Sequence, residues 1–151
     1  MAEIDSRQKT LIAAGDKVGA DVQGKVACVC FNTPAAAAWA QNDTFASGMK
    51  IPAGSRILAS SIVSHGAFGT SVTLDVGLRA WDDGTVIDAD GIAAALDVSA
   101  AGRTSLNNGA LVAAGVGYLT TEDVEPYATL AGANPTDNIQ AMFEIFYLPP
   151  G

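Results

Sequence analysis

The sequence predicts an all-β protein: an antiparallel β-sandwich, jelly-roll-like, with one short helix and an extended N-terminal arm. Three observations carry that prediction. Residues 72–78 alternate strictly, with Val72, Leu74, Val76 and Leu78 on one face and Thr73, Asp75 and Gly77 on the other. A period of two is the mark of a half-buried strand. Roughly seven or eight such short runs follow one another with turn signals between them, the pattern of an antiparallel sandwich or barrel. No long helical period supports an alternation of strands and helices.

Taken in order, residues 1–22 mix polar residues, Gly and Ala, and Leu11-Ile12-Ala13-Ala14 is their one apolar patch. These residues read as a terminal arm, either frayed or laid on a neighbour, and residues 23–151 as the β-sandwich domain. Residues 25–31, K-V-A-C-V-C-F, are apolar on both faces, which predicts an interior strand of a covered sheet. Pro34 ends it, because proline cannot continue a central ladder. Residues 35–40 are Ala-rich but too few for an independent helix.

Ile51-Pro52-Ala53-Gly54 predicts a tight turn, since Pro52 presets its φ and Gly54 accepts a positive one. Residues 56–64 then read as a strand of imperfect alternation. Ile57 and Ala59 are in phase and Ile62 is not, which places a bulge at Ser60-Ser61. His65-Gly66-Ala67-Phe68-Gly69 connects to the regular strand at Val72. Asp82-Asp83-Gly84 after Trp81 is a turn signal, and residues 85–87 a short strand. Residues 92–96 read as the short helix, with Asp88 or Asp90 as its N-cap. Residues 111–119 contain Gly115 and Gly117 and read as a strand or as a loop lying close to backbone. Residues 127–131 form a further strand. Residues 139–148 are the last, apolar on both faces and therefore expected to be covered on both sides. Pro149-Pro150 stops it.

The totals bound the function. A chain of 151 residues is one domain by default and buries about two-thirds of its unfolded surface, enough for a core without metals or disulfides. Hydrophobic residues make up 49% and charged residues only 16%, too few charges for an ordinary solvated surface, so other subunits are expected to cover part of it. The net charge is −8 and the eight basic residues are scattered, which disfavours nucleic acid and acidic membranes as partners. No apolar run is long enough to cross a bilayer, and the first ten residues lack a secretory pattern, so synthesis is expected in the cytoplasm.

No reactive constellation is present in the sequence. Cys28 and Cys30 would project to one strand face roughly 6 to 7 Å apart. They read as two small buried hydrophobes; a disulfide between them would distort the strand, and a metal site needs more soft ligands. His65 is the only imidazole, and Ser60, Ser61 and Ser64 beside it are ordinary strand and loop residues. The paired carboxylates at Asp82-Asp83, Asp88/Asp90 and Glu122-Asp123/Glu125 read as turn and cap residues. Asp88-Ala89-Asp90-Gly91 resembles part of a calcium loop, but its Gly comes too early and no Glu follows at the required distance. Trp39, Trp81 and Phe68 offer a sugar platform or, preferably, core and interface packing. The expectation is of a protein without enzymatic activity or cofactor.

Five segments belong together: K-I-P-A-G-S-R-I at residues 50–57, T-S-V-T-L-D-V-G-L at 70–78, D-A-D-G at 88–91, A-T-L at 128–130, and the closing segment from Ile139-Gln140-Ala141 to Phe146-Tyr147. In this order they resemble the small virion structural proteins of tailed bacteriophages, in particular capsid decoration (cement) proteins. The resemblance implies a β-sandwich that self-associates, often as a trimer. It also implies binding to the major capsid protein at symmetry axes or joints on the outside of an icosahedral head. On that reading Leu11 and Ile12 dock the arm to the capsid, and Phe68, Trp81 and Tyr118 make subunit contacts. The alternative is a carbohydrate- or receptor-binding module of a head fibre or tail.

Overall fold

The alternating residues 72–78 become the centre of a sheet. The structure is a computed structural model and describes residues 25–33, 39–136 and 140–150. Among them are ten strands: β1 (Ala27–Asn32), β2 (Thr44–Ala46), β3 (Arg56–Ile57), β4 (Ile62–His65), β5 (Thr73–Ala80), β6 (Val86–Asp97), β7 (Gly102–Ser105), β8 (Tyr118–Leu119), β9 (Val124–Ala131) and β10 (Ala141–Leu148). All pair antiparallel, in two sheets. One has the order β2-β9-β5-β6. The other runs β7-β4-β10-β3-β8, with β1 on the opposite edge of β10. The all-β, antiparallel class is as the sequence predicted.

The two sheets contribute to one buried cluster. Val29, Phe31, Phe143 and Ile145 come from β1 and β10; Leu74, Val76, Leu78, Ala128 and Leu130 come from β5 and β9. Phe31 stacks on its cross-strand partner Phe143 with ring centroids 4.7 Å apart. Cross-strand aromatic pairs of this kind hold register as well as adding buried area.

β3 and β4 are one strand interrupted, and both pair with β10. The interruption is at residues 58–61, where the sequence placed a bulge. Leu58 N donates to Phe146 O at 2.9 Å, and Phe146 N donates to the Ser61 hydroxyl at 3.0 Å. That hydroxyl in turn donates to Leu58 O at 3.2 Å. A side chain thus stands in for the missing ladder carbonyl. The Pro52–Ser55 turn also forms as predicted: Gly54 has φ 80°, and Ser55 N donates to Pro52 O.

Pro126 lies inside β9, a position that looks forbidden. Its carbonyl accepts from Ser47 N, just beyond the end of β2. Its missing N–H therefore falls where the neighbouring strand has already ended.

Four expectations are corrected. The helix at residues 92–96 does not form; those residues belong to β6. Five residues are too few to nucleate a helix, and side chains take up the backbone groups instead. Asn108 accepts from Ala94 N at 3.0 Å and donates to Ala94 O at 2.8 Å, while Asp75 accepts from Ala95 N at 2.7 Å. Asp88 accepts from Asp90 N in a local turn and caps nothing. Second, among the described residues β1 is an edge strand and not an interior one, since β10 is the one strand it pairs with there. Third, Cys28 and Cys30 are consequently exposed, not buried. Fourth, β10 is fully buried on one face only, with Met142 exposed on the other.

Residues 111–119 take the loop alternative and end in β8. Gly117 lies so close to the Ile57 carbonyl that a side chain there would collide with it. The N-terminal arm, with Leu11 and Ile12, and most of the Ala-rich residues 35–40 lie outside the described residues. No helix among the described residues is long and apolar enough to cross a membrane.

Candidate interaction surface

The two sheets differ in what they turn outward. On the β5 sheet the outward residues of β5 and β9 are Thr73, Asp75, Gly77 and Arg79 and, opposite them, Ala131, Thr129, Tyr127 and Glu125. Six of the eight are polar or charged, and Asp75, Arg79 and Glu125 have partners within the chain. Glu125 Oε2 accepts from Arg79 Nε and lies 2.8 Å from Arg79 Nη2, and Oε1 accepts from Gly48 N at 2.7 Å. The Arg79 guanidinium also lies 5.4 Å from the Tyr127 ring centroid. The chain itself closes over part of this face, because the 88–89 backbone passes directly across Gly77.

The β10 sheet is the reverse. Strand alternation points Cys28, Cys30 and Asn32 of β1 outward beside Phe146, Glu144 and Met142 of β10. Ile62 and Ser64 continue those rows on β4, and Ser105 and Arg103 on β7. Leu148 aligns with Arg56 and then Leu119 on β3 and β8. Val26, one residue before β1, continues the series. Val26 is 54% exposed, Leu119 50% and Met142 41%. Phe146, Leu148 and Ile62 are half-buried. Within the rows across β1, β10, β4 and β7, the charged residues are Glu144 and Arg103, and they pair at 3.5 Å. Nothing among the described residues covers this apolar face. Among the described residues one long edge of β1 is also unpaired, and an unpaired edge is a template for another strand.

Cys28 and Cys30 sit on this face with their sulfurs 3.3 Å apart. Desolvation of its sulfur, and the hydrogen bond with Cys30, push the Cys28 thiol up to about 12, with smaller contributions from charge on Cys30 and Glu144.

The residues expected to make contacts fall in different places. Phe68 is wholly buried, with its ring 5.9 Å from Trp39, so it packs the core and offers no surface to a neighbour. Trp81 is 42% exposed in the turn after β5. Tyr118, on β8 of the other sheet, is half-buried against the core. Trp39 packs edge-on against Phe45, so Trp39, Trp81 and Phe68 form no common platform. Leu11 and Ile12 lie outside the described residues.

The remaining chemistry-bearing groups are occupied locally. His65 is buried; Nδ1 donates to Gly66 O at 2.9 Å, leaving Nε2 to accept from the Thr104 hydroxyl at 3.3 Å. Asp82 and Asp83 accept from nearby backbone N–H groups. Burial and the neighbouring Asp90 hold the Asp88 carboxyl above the usual range. Among the described residues no group of three His, Cys, Asp or Glu side chains is placed to hold a metal, and no pocket is present. The apolar outer face of the β10 sheet is what sequence reasoning missed. The signal was there, in two strands that are apolar on both sides.

No family model matches this sequence, and no curated protein matches it. Solved structures do. A chain in the capsid of Ralstonia phage GP4 superposes with a TM-score of 0.66 at 17% identity, over 85% of this chain and 86% of that one. A chain in the cyanophage Pam1 capsid asymmetric unit gives 0.51, also at 17% identity, over 83% and 84%. At that identity the likeness is one of fold. This chain therefore has, over most of its length, the fold of chains found in two phage capsids.

Proposed function

We propose that this chain is a non-enzymatic structural protein of a phage head. It acts as a decoration protein, docking on the outside of the assembled shell and bridging major-capsid subunits. The observation that carries the proposal is the outer face of the β10 sheet, with Val26, Met142 and Leu119 exposed and no described residue covering it, bordered by an edge of β1 that no described strand pairs. The shared fold with capsid chains supports the setting. Interface centres are built on apolar side chains, and this face leaves Met142, Leu119 and Val26 exposed, whereas Arg79 and Glu125 of the β5-sheet face are already paired with each other. The acidic net charge keeps such a protein from competing for packaged nucleic acid.

In this reading the β10-sheet face and the arm bearing Leu11 and Ile12 lie against the shell. Trp81 and Tyr118 remain candidates for contacts between copies, which would assemble as trimers. Buried apolar area repeated at every site would stabilise the shell, at about 25 cal/mol per Å² before association costs.

The test is to mix the purified protein with expanded shells lacking it and to measure occupancy by sedimentation and imaging. Saturable binding at a fixed ratio to major-capsid subunits is expected. Failure to bind, together with retention on a glycan array, would replace this reading with a carbohydrate-binding one.

A further inference from the structure

Among the described residues the two thiols on β1 bring reactive side chains together, and their chemistry goes beyond the apolar contact that docking needs. They are exposed, they are the only cysteines in the chain, and their sulfurs are already in contact at 3.3 Å. We propose that Cys28 and Cys30 are a reversible redox site that closes to an intrachain disulfide when the protein meets low-molecular-weight disulfides. The inference stands on this geometry and not on the docking reading.

The geometry sets how such a bond would behave. Residues i and i+2 on a strand have Cα atoms about 6.6 Å apart, near the upper end of the range a disulfide spans. Closure therefore needs β1 to pucker. An interior strand would resist, because two ladders would have to yield. Among the described residues β1 pairs with β10 alone, so one ladder has to yield. The bond forms but remains strained, and strained, exposed disulfides are the easily reduced ones. This pair is thus a labile switch and not a structural staple. Closing it shifts β1 relative to Phe146 and Glu144, which stand opposite Cys28 and Cys30, and so reshapes the apolar face.

The chemistry balances with a disulfide such as oxidised glutathione as the oxidant. The Cys30 thiolate attacks one sulfur of the oxidant, giving a mixed disulfide and one glutathione thiolate. Cys28 then loses its proton, and its sulfur displaces the second glutathione from Cys30. Two protein thiols are oxidised by two electrons, and one small disulfide becomes two thiols carrying the two protons.

The experiment uses the full chain in glutathione buffers of graded ratio, quenched in acid, alkylated and weighed intact. As the ratio becomes oxidising, the doubly alkylated chain should give way to an unalkylated chain lighter by two hydrogens. That species should run as a monomer without reductant and revert on return to a reducing ratio. Cys28→Ser should stop at a stable glutathione adduct on Cys30. The proposal is overturned if the wild-type chain keeps both alkyl groups, accumulates the mixed disulfide, or forms interchain dimers instead. Phenylarsine oxide, which bridges paired thiols, checks proximity separately. One adduct per chain that blocks both alkylations is expected, and two independently reactive thiols would overturn the geometry itself.

Discussion

Replacing Met142 with lysine separates folding from docking. Met142 is 41% exposed on the outward side of β10, between Asn32 and Ser64. A fully buried Met side chain contributes about 1.5 to 3 kcal/mol, so the partly buried one contributes less. The Lys stem keeps much of the remaining contact while its ammonium stays in water. The expected cost to folding is under about 1 kcal/mol, a fall in Tm of roughly 2–4 °C for a chain of this size. In a docked face the same ammonium is desolvated without a partner. A cost there of about 3 kcal/mol corresponds to roughly 100-fold weaker binding per site. Met142→Leu, which conserves apolar volume, should bind within a few fold of wild type. The assay is shell occupancy against protein concentration, beside thermal unfolding of the free protein. If Met142→Lys melts near the wild-type temperature and still saturates shells at the wild-type concentration, the β10-sheet face is not the docking face.

Three further outcomes follow from the same structure. Glu125→Ala strands Gly48 N–H and the Arg79 guanidinium, whose side chain is 28% exposed and so partly rescued by water; a loss of about 2 to 3 kcal/mol is expected in urea unfolding, and Glu125→Gln should lose less. Gly77→Ala pushes a methyl group into the backbone of residues 88–89 and should cost about 3 kcal/mol or prevent folding, whereas Gly102→Ala, with open space around it, should change the denaturation midpoint little. Stability should fall as pH drops through and below the ordinary aspartate value of 3.8. Three carboxyls are held below it in the folded state: Asp83 by Thr85 N–H, Asp97 by the Ser99 side chain and N–H, and Asp123 by Ala53 N–H and Lys50. A depressed folded pKa stabilises above the unfolded value and ceases to as the group protonates. Asp88 is shifted upward and works in the opposite sense, so urea midpoints from about pH 5 to about pH 2 should show a net decline smaller than three unopposed carboxylates would give.

The parts of the fold that were legible are those where one local rule decided the outcome. Residues 72–78 alternate because one face is core, and β5 lies there with Val72, Leu74, Val76 and Leu78 buried. Pro52 and Gly54 dictate their turn through φ alone. The phase slip at Ser60-Ser61 announced an interruption that a hydroxyl then repairs. What was not legible depends on partners distant in sequence. β7 and β8 are short and mostly exposed, so no apolar pattern marks them. Residues 92–96 have the composition of a helix, and Asn108 and Asp75 decide otherwise from 14 and 20 residues away. Phe68 looked like a contact residue because loop aromatics often are, yet it is wholly buried in the core.

The two misread strands carry the most information about function. β1 and β10 were expected to be covered on both sides because both of their faces are apolar. Within the described residues they are covered on one. A chain that leaves Val26, Met142 and Leu119 in water gains nothing for its own fold. The opposite sheet also exposes Val86, on β6, but on β5 and β9 it carries Arg79, Glu125 and Asp75 on its outer side and satisfies them. Strands with interior composition at a surface are what an interface looks like before the partner arrives. The asymmetry also orients the molecule. If the β10 sheet lies on the shell, the β5 sheet faces solvent. Protease or chemical labelling of decorated particles should then protect Arg103 while leaving Lys50, on the β5-sheet side next to Asp123, open. Equal protection of both would place the contact elsewhere.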